Sequence, residues 1–101
     1  MIKHIVMWTI RSGETSGSKP ERMAEVKTRI LGLKGKIKEI VSMEVNYNSP
    51  SASDDNYDVI MISEFRSWEE LEVYQNHPDH QEVVEYIRNV RQNRAAIDYE
   101  F

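Results

Sequence analysis

The sequence predicts an α+β fold of the ferredoxin-like kind: a four-stranded antiparallel sheet with its helices on one face, in the order β-α-β-β-α-β. Three observations carry this. Four short segments have the alternating or continuously apolar pattern of strands. Between them lie segments whose apolar residues recur at steps of three and four, the spacing of a helix that buries one stripe. The chain is 101 residues long, enough for one core, so the two kinds of segment must share a single domain spanning residues 1–101.

The first strand is read over Lys3 to Arg11. His4, Val6, Trp8 and Ile10 point to one side of it, Ile5 and Met7 to the other. "SGETSGS" follows as a Gly/Ser loop, and Ser18 with Glu21 three residues on and Pro20 in the first turn opens a helix with a capping box. Met23, Val26, Ile30 and Leu33 form its inner stripe, and "GLKG" ends it. A second strand is expected over Ile37 to Asn48, with Val41, Met43, Val45 and Tyr47 on one face. The polar loop "NSPSASDDN" leads to "YDVIMISEF", Tyr57 to Phe65, whose apolar centre reads as a strand covered on both sides.

Ser67 and Glu70 repeat the capping spacing and open a short helix with Trp68, Leu71 and Tyr74 inward. Pro78 interrupts it, because the residue before a proline is driven out of helical geometry. The next helix carries His80, Val83, Val84, Ile87 and Val90 along one stripe, and Ala95, Ile97, Tyr99 and Phe101 alternate through a last strand.

Composition narrows the function classes. The absence of cysteine excludes disulfides, thiolate catalysis and Cys-ligated metal centres, which permits a cytoplasmic location. A formal net charge of −4 argues against nucleic acid and anionic lipid as partners, and the run "MIKHIVMWTI" is too short to span a bilayer. Charge is uneven along the chain: residues 1–50 hold nine Lys/Arg against five Asp/Glu, and residues 51–101 hold four against twelve. No Gly-rich phosphate loop, nucleophile elbow or dinucleotide motif occurs, so no cofactor is implied. Helices on one side of a sheet that is apolar on both leave an uncovered apolar face, which predicts a homodimer joined sheet to sheet.

"KHIVMW", "YDVIMISEF", "YQNHPDH" and the terminal "DYEF" together resemble the stress-responsive dimeric α/β-barrel (Dabb) domain family over almost the whole chain. The most specific piece is Tyr-x-x-His-Pro-x-His, Tyr74 to His80. The resemblance implies that two sheets close into a barrel across a dimer, with the last strands helping to join the subunits. A plant member closes a polyketide chain by aldol condensation with a tyrosine and a histidine and no cofactor. Those roles would fall on Tyr74 and His80, and His4 would line the same cavity. That cyclase has aromatic residues on its first helix where this chain places Met23, Ala24 and Lys27, so its substrate does not carry over.

His80 shares a helical face with Val83, Val84 and Ile87, so its ring is expected between helices and sheet, within hydrogen-bonding reach of Tyr74 directly or through one water. Two readings stand side by side. In one, His80 is a general base and Tyr74 hydrogen-bonds the developing enolate; in the other, the pair locks the corner at Pro78. His4, Val6, Trp8, Met23, Met61, Arg66 and Trp68 are the expected ligand-binding residues, Arg66 as an anion contact at the cavity mouth. A metal held by His77 and His80 would need His4 as a third ligand and is not expected. The functional expectation is a small hydrophobic or carbonyl-containing ligand bound between sheet and helices. The alternatives are a cofactorless lyase, cyclase or isomerase, and below it a cofactor-independent monooxygenase.

Overall fold

The computed structural model describes residues 1–13 and 17–101; Glu14, Thr15 and Ser16, in the middle of the expected Gly/Ser loop, lie outside the described residues. Four strands, β1 (Ile2–Ile10), β2 (Ser42–Tyr47), β3 (Val59–Phe65) and β4 (Arg91–Glu100), and three helices, α1 (Lys19–Gly32), α2 (Trp68–Asn76) and α3 (Pro78–Val90), follow in the order β1-α1-β2-β3-α2-α3-β4. The sheet runs β2-β3-β1-β4 with every neighbour antiparallel. This is the ferredoxin-like α+β plan expected from the pattern.

The period-two reading of β1 fits its environment residue by residue. Ile2, His4, Val6, Trp8 and Ile10 are buried under the helices, and the residues between them are half-buried on the opposite face. Register then sorts the neighbours. On the helix side His4 sits opposite Ser63 and Asp98, Val6 opposite Met61 and Ala96, and Trp8 opposite Val59 and Arg94. On the open side Ile5 lies between Ile62 and Ile97. Among the described residues no helix covers that side, and Ile97 is 60% exposed with Tyr99 and Phe101 also exposed.

The first helix begins as its sequence demands. Gly17 takes a left-handed φ of 91°, which a Cβ would disfavour, and delivers Ser18 to the cap. There the Ser18 hydroxyl accepts the Glu21 N–H and the Glu21 carboxylate accepts the Ser18 N–H, at 3.4 and 3.1 Å. Val26, Ile30 and Arg22 are the residues that α1 buries, while Met23 is only half-buried. After a 3-10 turn at Leu33–Gly35 the chain departs from the expected second strand: Ile37 and Ile40 are buried, but from a turn, and β2 starts only at Ser42. The reason lies in the backbone, where the Ile37 and Ile40 N–H groups donate to the carbonyls of Leu33 and Ile37 and so are spent before a ladder can form.

At the second corner the Ser67 hydroxyl caps α2 by accepting the Glu70 N–H. His77, in extended geometry with φ −67° and ψ 135°, separates α2 from α3; its Nδ1 accepts the Asp79 N–H at 3.1 Å, and Pro78 occupies the first helical turn. Leu71 and Tyr74 face inward, but Trp68 does not: it is 45% exposed. Its indole N–H donates to the Glu100 carboxylate at 2.7 Å, which holds the ring on the rim at the end of β4. The last strand starts at Arg91, four residues before the alternation suggests, because pairing with β1 carries it through a polar stretch.

Candidate functional site

A cavity of about 330 Å³ opens between the helix side of β1, β3 and β4 and the inner faces of α1 and α3. Six of the nine residues expected at a site meet there: His4, Val6, Trp8, Met61, Tyr74 and His80. Each is delivered by a local rule. Period two along β1 places His4, Val6 and Trp8 on one side; register with β3 adds Met61; and the Pro78 break re-aims the chain so that Tyr74 near the end of α2 faces His80 in the first turn of α3.

Three expected residues lie elsewhere. Met23 packs half-buried against the core outside the cavity lining, and its backbone carbonyl accepts the Tyr47 hydroxyl at 3.3 Å. Arg66 is mostly exposed and lies 3.8 Å from the Glu70 carboxylate, one turn along α2, an ion pair of small consequence in water. Trp68 stays on the rim with Glu100.

Tyr74 and His80 meet with ring centroids 4.2 Å apart and planes tilted by 43°, without a direct hydrogen bond between them. The Tyr74 hydroxyl, in a side chain only 1% exposed, donates to the Met61 thioether at 3.8 Å, a weak acceptor. Burial pushes this hydroxyl well above its ordinary pKa, so it stays a proton donor throughout the physiological range.

His80 Nδ1 lies 3.1 Å from the Gln75 carbonyl oxygen. A carbonyl only accepts, so Nδ1 carries the hydrogen and Nε2 keeps a lone pair, with no hydrogen-bond partner for it among the described residues. Burial holds the imidazole below its usual pKa. The positive fields of His4, Arg94 and His77 act the same way, and the Gln75 carbonyl opposes them. At neutral pH His80 is therefore a neutral imidazole with a free basic nitrogen. His4, 4% exposed, is fixed in the same sense: its Nδ1 hydrogen-bonds the carboxylate of Asp98, directly opposite on β4, and its ring meets the Tyr74 ring edge-on at 6.2 Å.

Sequence reasoning missed Asp98, the partner of His4, and the three arginines that line the cavity, Arg88, Arg91 and Arg94. The signal for Asp98 was its place on β4 opposite His4 once the strand order is known. Among the described residues no group of three or more His, Asp or Glu side chains is placed to hold a metal ion, and no helix is long and apolar enough to cross a membrane.

Solved structures share this fold. A dimeric protein of unknown function with a ferredoxin-like fold from Bacteroides fragilis superposes with a TM-score of 0.82 at 28% identity, over 99% of this chain and 95% of that one. A dimeric ferredoxin-like protein of unknown function from Thermobifida fusca gives 0.82 at 22%, over 99% and 90%. The hydroxynitrile lyase of Passiflora edulis gives 0.80 at 14%, over 97% and 90%, a likeness of fold alone. No curated protein matches the chain. The model of the Stress Responsive A/B Barrel Domain matches residues 2–101, and with the whole described fold inside that match the chain belongs to the stress responsive A/B barrel domain family.

Proposed function

We propose that the protein is a homodimer whose subunits each bind a small hydrophobic, carbonyl-containing molecule in the cavity between sheet and helices. The observation that carries this is the cavity itself. Its volume, about 330 Å³, lies at the small end of the range for ligand sites. Its walls include Val6, Trp8, Met61 and Val83, and the polar groups that converge at one end of it are the Tyr74 hydroxyl and two histidines, with Gln75 and three arginines completing the lining. A ligand carbonyl is a better acceptor for the Tyr74 hydroxyl than the thioether it now meets.

Dimerisation rests on the open face. Ile5, Met7, Ile60, Ile62 and Ile97 form an apolar surface that a monomer would leave wet, and the similar B. fragilis and T. fusca proteins are dimeric. In this reading β4, an edge strand, belongs to the contact.

A second reading has a specific observation behind it: the tautomer of His80. A neutral imidazole with a free Nε2 beside a tyrosine that remains protonated is the pair needed to remove a proton from carbon next to a carbonyl and to hydrogen-bond the resulting enolate. No cofactor enters such chemistry, and a lyase on the same fold, from P. edulis, is a precedent for the fold and not for the reaction. Solvent-deuterium exchange into small ketones and aldehydes separates the readings. Binding alone predicts bound ligand without exchange. Base chemistry predicts exchange that His80→Ala removes and Tyr74→Phe reduces, both variants remaining folded.

Occupancy is tested by native mass spectrometry of the purified protein, wild type against Val84→Trp, which fills the cavity from α3. The expected result is a co-purified small molecule that the variant lacks. An equal load in both would end the binding proposal.

A further inference from the structure

The outer end of the cavity is positively charged in a chain that is acidic overall. Only four arginines occur in residues 51–101, against twelve acidic residues, yet three of the four, Arg88, Arg91 and Arg94, line this one cavity. Among the described residues no Asp or Glu lines it.

The backbone goes out of its way to bring two of them together. In a regular strand, residues three apart face opposite sides of the sheet. Along β4 the register slips between Thr9 and Ile10: Arg94 pairs with Trp8 and Asn93 with Thr9, but Arg91, not Gln92, pairs with Ile10. The extra residue is a β-bulge, and it rotates Arg91 onto the face that Arg94 already occupies, the helix side of the sheet.

Neither guanidinium is engaged there. Arg88 faces Glu85 at 3.5 Å, but the side chains of Arg91 and Arg94 make no hydrogen bond or ion pair among the described residues. Asp98, on the same face of β4 as Arg94, is held by His4. Two unneutralised guanidiniums at the end of an apolar chamber are an arrangement suited to a carboxylate, which accepts their forked donors with its two oxygens.

We propose that Arg91 and Arg94 form an anion-binding mouth, and that the molecule held in the cavity is an amphipathic carboxylate, its acid group at the arginines and its apolar body along Val6, Met61 and Val83. This rests on the cavity-binding function proposed above and narrows it to an acidic ligand class. The head group at β4 sets the depth to which the rest of the molecule reaches, and the inner end of the chamber holds Tyr74 and the histidines. A carboxylic acid with a carbonyl a few carbons along its chain would satisfy both ends.

The test is calorimetric titration, at one fixed salt concentration, of the wild-type protein, Arg91→Gln, Arg94→Gln and the double variant. Two isosteric probes are used, octanoate and octanamide, which differ only in charge. Arg66→Gln, which changes the same charge away from the cavity, controls for net charge. Wild type is expected to bind octanoate about tenfold or more tightly than octanamide, as charge-assisted pairing requires. In the double variant the preference should vanish with octanamide binding unchanged, and Arg66→Gln should keep it. Equal binding of the two probes by wild type, or an undiminished preference in the double variant, overturns the anion mouth while leaving the cavity intact. Failure of both probes to bind wild type overturns the cavity function and this inference with it.

Discussion

Tyr74→Phe separates a structural tyrosine from a working one. The ring is part of the core, 1% exposed, tilted against Phe65 with centroids 4.9 Å apart and against His80 with centroids 4.2 Å apart. Phenylalanine keeps all of those contacts. What is lost is the hydroxyl, whose acceptor is the Met61 thioether at 3.8 Å. A full neutral hydrogen bond contributes about 0.5–1.5 kcal/mol net, and one to a thioether contributes less; against it stands the cost of burying the hydroxyl. The substitution should therefore change stability by less than about 1 kcal/mol, which for a domain of this size is a shift in melting temperature of no more than ~4–8 °C. Tyr74→Ala, by contrast, empties a core position and should cost about 3–5 kcal/mol. Urea unfolding at a fixed protein concentration gives both values, concentration being held because a dimer's stability depends on it. A loss above about 2 kcal/mol in Tyr74→Phe would refute the reasoning, since the hydroxyl would then be holding the Pro78 corner.

Four further outcomes follow from the same geometry. Because the folded-state pKa of His80 is depressed, the unfolded chain binds more protons between that value and the ordinary one of about 6.5. His80 therefore withdraws stability as pH falls through that window, and His80→Gln should remove this part of the slope in a pH series of urea midpoints. Any chemistry that uses His80 as a base should rise with pH through its lowered folded-state pKa and be fully developed at neutrality. Asp98→Ala leaves His4 Nδ1 buried without its partner and should cost about 1–3 kcal/mol by the same unfolding assay; a neutral result would mean that the pair contributes nothing. Ile97→Asp, at a position 60% exposed in the single subunit, should leave the monomer fold within about 0.5 kcal/mol but separate the dimer in sedimentation velocity; an undisturbed dimer would exclude the open face as the contact.

Much of the fold was legible because it rests on periodicity. β1 could be divided into its two faces from the sequence alone, and the Ser18 capping box and the Pro78 break follow from local chemistry. Legibility fails where tertiary pairing overrides local pattern. Ile37 and Ile40 read as strand since they are β-branched, yet a turn buries them just as well. β4 reaches back to Arg91 through residues with little strand preference because β1 supplies the ladder. The same limit governs the site. His4, Val6 and Trp8 could be placed by alternation, whereas Trp68 follows its indole hydrogen bond to Glu100, thirty-two residues away, and Asp98 meets His4 across ninety-four. The placing of Arg91 beside Arg94 depends on a one-residue bulge that no spacing rule anticipates.

The three histidines supply the most direct measurement of whether the cavity is a binding site. His4 and His80 line it, and His77 caps α3 outside it. In a nitrogen-15 imidazole spectrum recorded at neutral pH, His80 should show the Nδ1–H tautomer. Titration with octanoate, and separately with octanamide, should shift the Nε2 signals of His80 and His4 in a saturable way while His77 stays still. Three histidines that move together, or none that moves with either probe, would contradict the account.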